Sequence, residues 1–153
     1  MPSNFFHRKD AYVIAEVGQN HQGSLEEALR YISVFAGLGA DAIKFQMRNN
    51  RILFDDLVYN DLYNSENSFG STYGEHREAL ELDYSSYLAL RERCSHCKVD
   101  FIVTPFDEIS LSACISLEVN ALKVASFDLA NIPFLDKIAK TCIPVVISSG
   151  GGH

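Results

Sequence analysis

Short apolar runs alternate with segments of helical period along the chain, and this alternation predicts the fold. Five runs are rich in β-branched or aromatic residues and short enough for strands: Tyr12–Val17, Ala42–Met47, Asp100–Thr104, Ala121–Ala125 and Pro144–Ser148. Four helices are predicted between them, at Ser24–Leu38, Tyr84–Cys97, Ile109–Leu117 and Ile132–Thr141. Continuous apolar strands that alternate with helices pair in parallel, so we expect an α/β protein.

Polar residues between these runs predict where helices begin and where the chain is irregular. Ser24 and Glu27 have the spacing of a capping box, in which each side chain bonds a backbone N–H. Asn131 is suited to cap the last helix, whose first turn tolerates Pro133. The interval Arg48–Asp83 has weak periodicity and many Asn and Gly residues, so we predict a long functional loop there. The alternative is a solvated surface connection.

Composition and charge place the protein in a broad class. The 153 residues are 47% hydrophobic and 22% charged, as in an ordinary globular domain. With 13 Lys and Arg against 20 Asp and Glu, the net charge is −7, and no basic run offers a nucleic-acid surface. Met1–Asp10 lacks the apolar core of a signal peptide, and no run reaches the roughly 18 apolar residues that span a bilayer. We expect a cytoplasmic protein that binds neither nucleic acid nor membrane.

The four cysteines contain one motif, Cys94-Ser95-His96-Cys97. It is half a zinc site at best, because no second pair lies at a suitable spacing. Since the motif falls within a helical pattern, we interpret these cysteines as thiols of no special chemistry in a reducing compartment.

Polar residues cluster where the predicted strands end, which is where parallel α/β folds bind ligands. Lys44 and Lys123 each lie inside an apolar strand. A buried lysine is costly unless it pairs with an anion or loses its proton. With the hydroxyls of Thr104, Ser126, Ser148 and Ser149, the two lysines indicate a site for phosphate or carboxylate. The alternative is a pair of internal ion pairs, for example with Glu16 or Asp107.

Two carboxylates and one histidine also lie near these strand ends. Glu16 and Asp128 are candidates for general acid–base work or for holding sugar hydroxyls, unless they pair with the lysines. We expect His21 to act as a hydrogen-bonding group. The segment Ser149–Gly152 is like a phosphate loop but lacks the GxxxxGK[ST] spacing. No GxGxxG motif follows a strand, which argues against a dinucleotide fold.

Six stretches, in order, resemble the N-acetylneuraminate (sialic acid) synthase family. They are Ile14–Gly23, Gly39–Gln46, Tyr73–Leu82, Phe101–Asp107, Lys123–Asn131 and Val145–Gly150. The resemblance implies a TIM-barrel type of fold in which residues 1–153 are the N-terminal portion of a single (β/α)8 barrel, about its first five βα units. It also implies the condensation of phosphoenolpyruvate with N-acetylmannosamine or a related sugar, with C–O cleavage and release of phosphate.

Matched position by position, the resemblance implies a role for each candidate residue. Those that contact phosphoenolpyruvate would be Lys44, Thr104, Lys123, Ser126 and Ser148, with Gln46 as a further substrate-binding residue. Glu16 would be the sugar-binding carboxylate. Asp128 stands where many family members have Glu, and would transfer a proton or orient water. Tyr73, His76 and Arg77 lie in the long loop, which in the family covers the sugar site.

The resemblance also bears on cofactors and partners. A divalent metal, Mn or Mg, would activate the sugar aldehyde, but the family's metal-ligand histidines lie beyond residue 153, so we expect no metal ligand here. The remaining strands and an antifreeze-like C-terminal domain are likewise expected to be absent, and full-length members to be homodimers. Three functions stay open: a synthase, a noncatalytic anion-binding half-barrel that acts through a partner chain, and an unrelated phosphate binder whose lysines point apart.

Overall fold

Each of the five apolar runs forms a strand in the computed structural model, which describes residues 11–150. The strands are β1 (Ile14–Gly18), β2 (Ala42–Met47), β3 (Asp100–Pro105), β4 (Ala121–Val124) and β5 (Val145–Ile147). The helices are α1 (Leu25–Gly37), α2 (Asn50–Leu53), α3 (Asp56–Tyr59), α4 (Tyr73–Ala79), α5 (Tyr84–Cys97), α6 (Glu108–Ser116) and α7 (Ile132–Ala139), with a 3₁₀ helix at Ser126–Ala130. The segment Met1–Asp10, residues 151 and 152 of the glycine-rich tail, and His153 lie outside the described residues.

The sheet is entirely parallel, and its strands follow the order β1-β2-β3-β4-β5. Every strand therefore pairs with its neighbour in the sequence. A barrel of βα units winds in this way, whereas a doubly wound fold reverses its strand order. The predicted α/β fold of TIM-barrel type is confirmed, and within residues 11–150 the sheet is open between β1 and β5.

The two-residue period of the strands gives the sheet two different faces. One face packs Ile43, Phe45, Val103 and other apolar residues into the main core with α1, α5, α6 and α7. We call the opposite face the inner face. It carries the polar side chains of Glu16, Lys44, Gln46, Thr104 and Lys123 above a small apolar cluster of Ala42, Ile102 and Ala121. The helices thus cover the apolar face and leave the polar one available for chemistry.

Ser24 caps α1 as predicted, but the predicted capping box does not form. Ser24 Oγ accepts a hydrogen bond from the Glu27 N–H at 3.3 Å. The Ser24 N–H, which Glu27 was expected to accept, already donates to the His21 carbonyl at 2.9 Å. The Glu27 carboxylate lies 3.6 Å from Arg30 instead.

The other helix ends follow the sequence closely. Asn131 caps α7 by accepting the Phe134 N–H at 3.4 Å, and Pro133 occupies the first turn, both as predicted. The bounds of α5 are those predicted, while α6 and α7 end one or two residues early. No helix within residues 11–150 combines the length and apolar character needed to cross a bilayer.

The interval Arg48–Asp83 is not the single long loop that was predicted. It contains α2, α3 and α4, and Leu62 and Thr72 form an antiparallel bridge. Thr72 and Glu75 form a reciprocal capping box at the start of α4. The three helices have only four to seven residues, too few to display a helical period, and this is why the pattern missed them.

Candidate functional site

Three predicted site residues meet on the inner face. Lys44 Nζ lies 2.5 Å from Glu16 Oε2 and donates a 3.1 Å hydrogen bond to Thr104 Oγ1. The strand register explains the meeting, because Glu16 is opposite Lys44, and Gln46 is opposite Thr104. The alternative in which Lys44 forms an internal ion pair with Glu16 is therefore correct for this lysine.

A bulge at the end of β1 brings Glu16 close to its neighbours. The register shifts between Glu16 and Gly18, and Gly18 has a φ of +58°, which favours glycine. A Cβ at this position would lie 3.1 Å from Glu16 Oε1 and 3.4 Å from Gln46 Nε2. Glycine thus lets the carboxylate and the amide approach the backbone together.

Lys123 is half-buried and forms no ion pair within the described part of the chain. Its Nζ donates to the Val124 carbonyl at 2.9 Å. Burial lowers the pKa of Lys123, the positive charge of Lys44 lowers it further, and Glu16 opposes the change. The strand register and the two-residue period place both lysines on the inner face. This placement argues against the interpretation in which they point apart. Two ammonium groups with one carboxylate leave a positive site suited to an anion.

The remaining predicted residues follow the carboxyl ends of β4 and β5, at the same end of the sheet. A Cβ on Gly150 would be 3.8 Å from Ser126 Cβ and 4.0 Å from Ser148 Oγ, so the two serines are near neighbours. Asp128 is buried, and its Oδ1 accepts a 3.1 Å hydrogen bond from Asn131 Nδ2. Its other oxygen, Oδ2, is buried with no hydrogen-bond partner among residues 11–150. That oxygen is therefore a buried acceptor whose hydrogen-bonding capacity is not satisfied within these residues.

Arg48 and Glu81 form a buried ion pair beside Gln46 that the sequence analysis missed. Their side chains are only 9% and 11% exposed, and Arg48 Nη1 lies 3.1 Å from Glu81 Oε1. Arg48 also donates to Gln46 Oε1 at 2.6 Å, and Gln19 donates to Glu81 at 2.5 Å. Burial lowers the pKa of Arg48 and raises the pKa of Glu81, so for each group desolvation outweighs the attraction of its partner.

An aromatic stack at the ends of β3 and β4 was also missed. Phe106 and Phe127 stack with ring centroids 5.6 Å apart and planes at 14°, and the Arg48 guanidinium carbon lies 4.2 Å from the Phe106 centroid. The two-residue period of the strands could have predicted that two members of this stack, Arg48 and Phe106, lie on the inner face. It places Arg48 on the same face as Gln46, and Phe106 on the same face as Thr104.

Tyr73 and His76 hold the β2–β3 connection together. The ring of Tyr73 packs edge-on against Phe54 and Tyr63. His76 lies 4.6 Å from Tyr63 between ring centroids, and its Nδ1 accepts the Phe69 N–H at 3.2 Å. Within residues 11–150, these contacts do not join either side chain to Lys44 or Thr104.

Arg77, from the same helix, has a different environment. It lies close enough to the Arg48–Glu81 pair to lower the pKa of Arg48 and to oppose the raised pKa of Glu81. Its Nε is buried without a hydrogen-bond partner in the described part of the chain. Of the three predicted α4 residues, Arg77 is the one that the structure brings to the Gln46 side of the site.

Asp107 and His21 have structural contacts. Asp107 caps α6 by accepting the Ser110 N–H at 2.8 Å, and it also accepts the Asn49 N–H at 2.7 Å. It is therefore not the lysine partner that the sequence allowed. His21 is a hydrogen-bonding group, as predicted, because its Nδ1 accepts the Gly23 N–H at 3.1 Å. Burial lowers the pKa of His21.

The described residues do not fit a metal site. Within residues 11–150, no three His, Cys, Asp or Glu side chains are grouped to hold a metal ion. All four cysteines are unpaired thiols, and Cys94 and Cys97 lie on α5 as predicted. Burial raises the pKa of Cys94 to about 12, which keeps this thiol protonated. We assign no metal ligand among these residues.

Comparison with known proteins gives consistent matches. The NeuB family model matches residues 31–153. The N-acetylneuraminate-9-phosphate synthase of Drosophila melanogaster is 40% identical over 139 residues, covering 91% of this chain and 37% of the relative. The N,N'-diacetyllegionaminic acid synthase of Legionella pneumophila is 36% identical over 140 residues, covering 91% of this chain and 39% of the relative.

A solved structure agrees with these matches. The N-acetylneuraminic acid (sialic acid) synthetase of Leptospira borgpetersenii, crystallised with citrate, superposes with a TM-score of 0.78 at 31% identity. The match covers 95% of this chain and 46% of that one. This chain spans about two-fifths of the length of the curated relatives it matches.

Proposed function

Since the chain belongs to the NeuB family, we propose that it forms part of a synthase that condenses phosphoenolpyruvate with N-acetylmannosamine or a related sugar. The placement of Lys44 and Lys123 on the same inner face, where Lys44 also contacts Glu16 and Thr104, carries this proposal. The Drosophila and Legionella relatives are named for N-acetylated sugar acids, which supports an N-acetylated hexosamine as the acceptor.

The proposed binding of phosphoenolpyruvate follows from its charges. Its phosphate and carboxylate lie a few bonds apart, so two ammonium groups on one face of the sheet complement it. Lys44 and Lys123 would supply these groups. The hydroxyls of Thr104, Ser126 and Ser148 would donate hydrogen bonds, which are strong when the acceptor is an anion. Gln46 would orient a neighbouring substrate group.

In the proposed reaction, C3 of phosphoenolpyruvate bonds to the aldehyde carbon of the sugar, and water adds at C2. The C2–O bond then breaks, so the bridging oxygen leaves with phosphate and the water oxygen becomes the keto oxygen. Glu16 would accept hydrogen bonds from sugar hydroxyls. Asp128 would hold the water or receive its proton. We route no step through a metal, because the described residues do not fit one.

The test measures phosphate release from phosphoenolpyruvate with N-acetylmannosamine and a divalent metal, together with phosphoenolpyruvate affinity. We expect release to require both substrates. Lys123→Ala should weaken phosphoenolpyruvate binding by at least about tenfold, the size of one charge-assisted hydrogen bond. Lys140→Ala is the matched control, because Lys140 is exposed at the end of α7, paired with Asp136.

The possible results separate the two functions that remain open. Release that depends on both substrates supports the synthase. Binding that Lys123→Ala abolishes, without release when the rest of a synthase is supplied, would support a noncatalytic anion-binding half-barrel instead. Equal binding by Lys123→Ala and Lys140→Ala would contradict both functions.

We also propose a cytoplasmic site of action and a homodimeric full-length protein. The unpaired state of Cys94, Cys97, Cys114 and Cys142 supports a reducing compartment. The homodimer rests on the family resemblance alone.

A further inference from the structure

An exposed aromatic side chain stands within the candidate site. Phe127 lies between Ser126 and Asp128 on the 3₁₀ helix after β4, and 68% of its surface is exposed. Single exposed apolar side chains are common, so exposure alone assigns no role. Two observations distinguish Phe127: its ring stacks on another aromatic ring, and it lies between two predicted site residues in the sequence.

The Phe127 ring is held in a fixed orientation. It stacks on Phe106 with planes 14° apart, and Phe106 in turn lies under the Arg48 guanidinium. Arg48 is itself fixed by hydrogen bonds to Glu81 and Gln46. The stack therefore joins the carboxyl ends of β2, β3 and β4. The second ring face of Phe127 is left uncovered at this end of the sheet, where the predicted site residues lie.

We propose that this exposed face of Phe127 binds the acceptor sugar, through the C–H face of the sugar or its acetamido methyl, and so determines acceptor specificity. The inference rests on the proposed function and deepens it. The face of an aromatic ring carries partial negative charge, so it does not attract the phosphate or carboxylate of phosphoenolpyruvate. Sugar C–H and methyl groups carry partial positive charge and are apolar, so they pack well against it.

The surroundings of Phe127 complete a sugar-binding arrangement. Small-molecule sites combine apolar or aromatic walls with a few placed polar groups. Here the polar residues that flank Phe127 in the sequence are Ser126 and the buried Asp128. An acceptor on the Phe127 ring would thus lie beside the 3₁₀ helix that carries the carboxylate proposed to orient water, while the lysines bind the anionic substrate.

The experiment compares Phe127→Ala, Phe127→Tyr and a matched control in the protein as its gene encodes it. Steady-state kinetics give the KM for N-acetylmannosamine and for phosphoenolpyruvate, and acceptor binding in the presence of phosphoenolpyruvate is measured by ligand-observed NMR. The control is Tyr31→Ala, which removes another parallel aromatic pair, Tyr31 and Phe35, with planes also at 14°. That pair lies on α1.

We expect Phe127→Ala to raise the acceptor KM about tenfold and to leave the phosphoenolpyruvate KM unchanged, with Phe127→Tyr close to wild type. An unchanged acceptor KM in Phe127→Ala, while the wild type makes product, overturns this inference and leaves the proposed function standing. An equal rise in Tyr31→Ala also overturns it, because general loss of stability would then explain the effect. A wild-type protein that neither binds nor converts the acceptor contradicts the proposed function itself.

Discussion

Lys44 and Lys123 have the same position within their strands but different electrostatic environments. Lys44 pairs with Glu16 at 2.5 Å, whereas among residues 11–150 the hydrogen-bond partner of Lys123 is the carbonyl of Val124. The sequence could not separate the two cases, because both lysines lie in similar apolar runs and the partner carboxylate comes from another strand. In the free protein, Lys123 is therefore the cation that gains most from a bound anion.

This difference predicts how phosphoenolpyruvate affinity depends on pH. Burial and Lys44 lower the pKa of Lys123 in the free protein, and a bound anion would raise it again. Binding is then accompanied by proton uptake, so affinity should fall as the pH rises through the lowered pKa, by up to about tenfold per pH unit. Titration calorimetry in a series of buffers from neutral to alkaline pH measures this fall.

Lys123→Arg provides the control for the pH series. The guanidinium stays charged throughout that range, so the alkaline fall due to residue 123 should disappear even where overall affinity is weaker. The same pH profile in the wild type and in Lys123→Arg would contradict the assignment of the titrating group to Lys123.

At the scale of elements, the sequence predicted what depends on local pattern and missed what depends on contacts between elements. The strands, α5 and the Asn131 cap follow from apolar runs and capping side chains. Ser24 was predicted to share a capping box with Glu27, but a carbonyl of the preceding turn takes the Ser24 N–H. The Arg48–Glu81 pair joins positions 33 residues apart, so no local period could reveal it.

Asp107 connects two elements of the fold and should contribute measurably to the free energy of unfolding. It caps α6 and also accepts the Asn49 N–H at the end of β2, so one buried carboxylate fixes two segments. Asp107→Ala removes the cap and leaves the partly buried N–H of Asn49 unbonded, which should lower the free energy of unfolding by about 2–4 kcal/mol. Urea denaturation measures this loss.

Ser24→Ala is the matched comparison for Asp107→Ala, because Ser24 caps α1 through one hydrogen bond and joins no second segment. It should cost about 1 kcal/mol. Equal losses in the two variants would show that the bond from Asn49 to Asp107 adds nothing to stability.

At the scale of the whole molecule, the arrangement of charge is more informative than its total. The net charge is −7, yet the substrate we propose is an anion. Lys44 and Lys123 lie on the same face of the sheet, and Arg48 follows β2 on that face. Glu16 pairs with Lys44 and Glu81 pairs with Arg48, so two of these three cations have a carboxylate partner. The local field at the inner face can therefore favour an anion on an acidic protein.

The outer edge of β5 provides the prediction for the whole molecule. In a parallel pair, alternate residues bond to one neighbour. The β4–β5 bonds use the Pro144 carbonyl and the Ser148 N–H, so the N–H groups of Val145 and Ile147 face the outer edge of β5. Hydrogen exchange should be slow for Phe45 and Val103 in the central strands. It should be at least about tenfold faster for Val145 and Ile147 wherever that edge is uncovered. Slow exchange at these two amides in the protein as encoded would instead show that a further strand or a second copy pairs with β5.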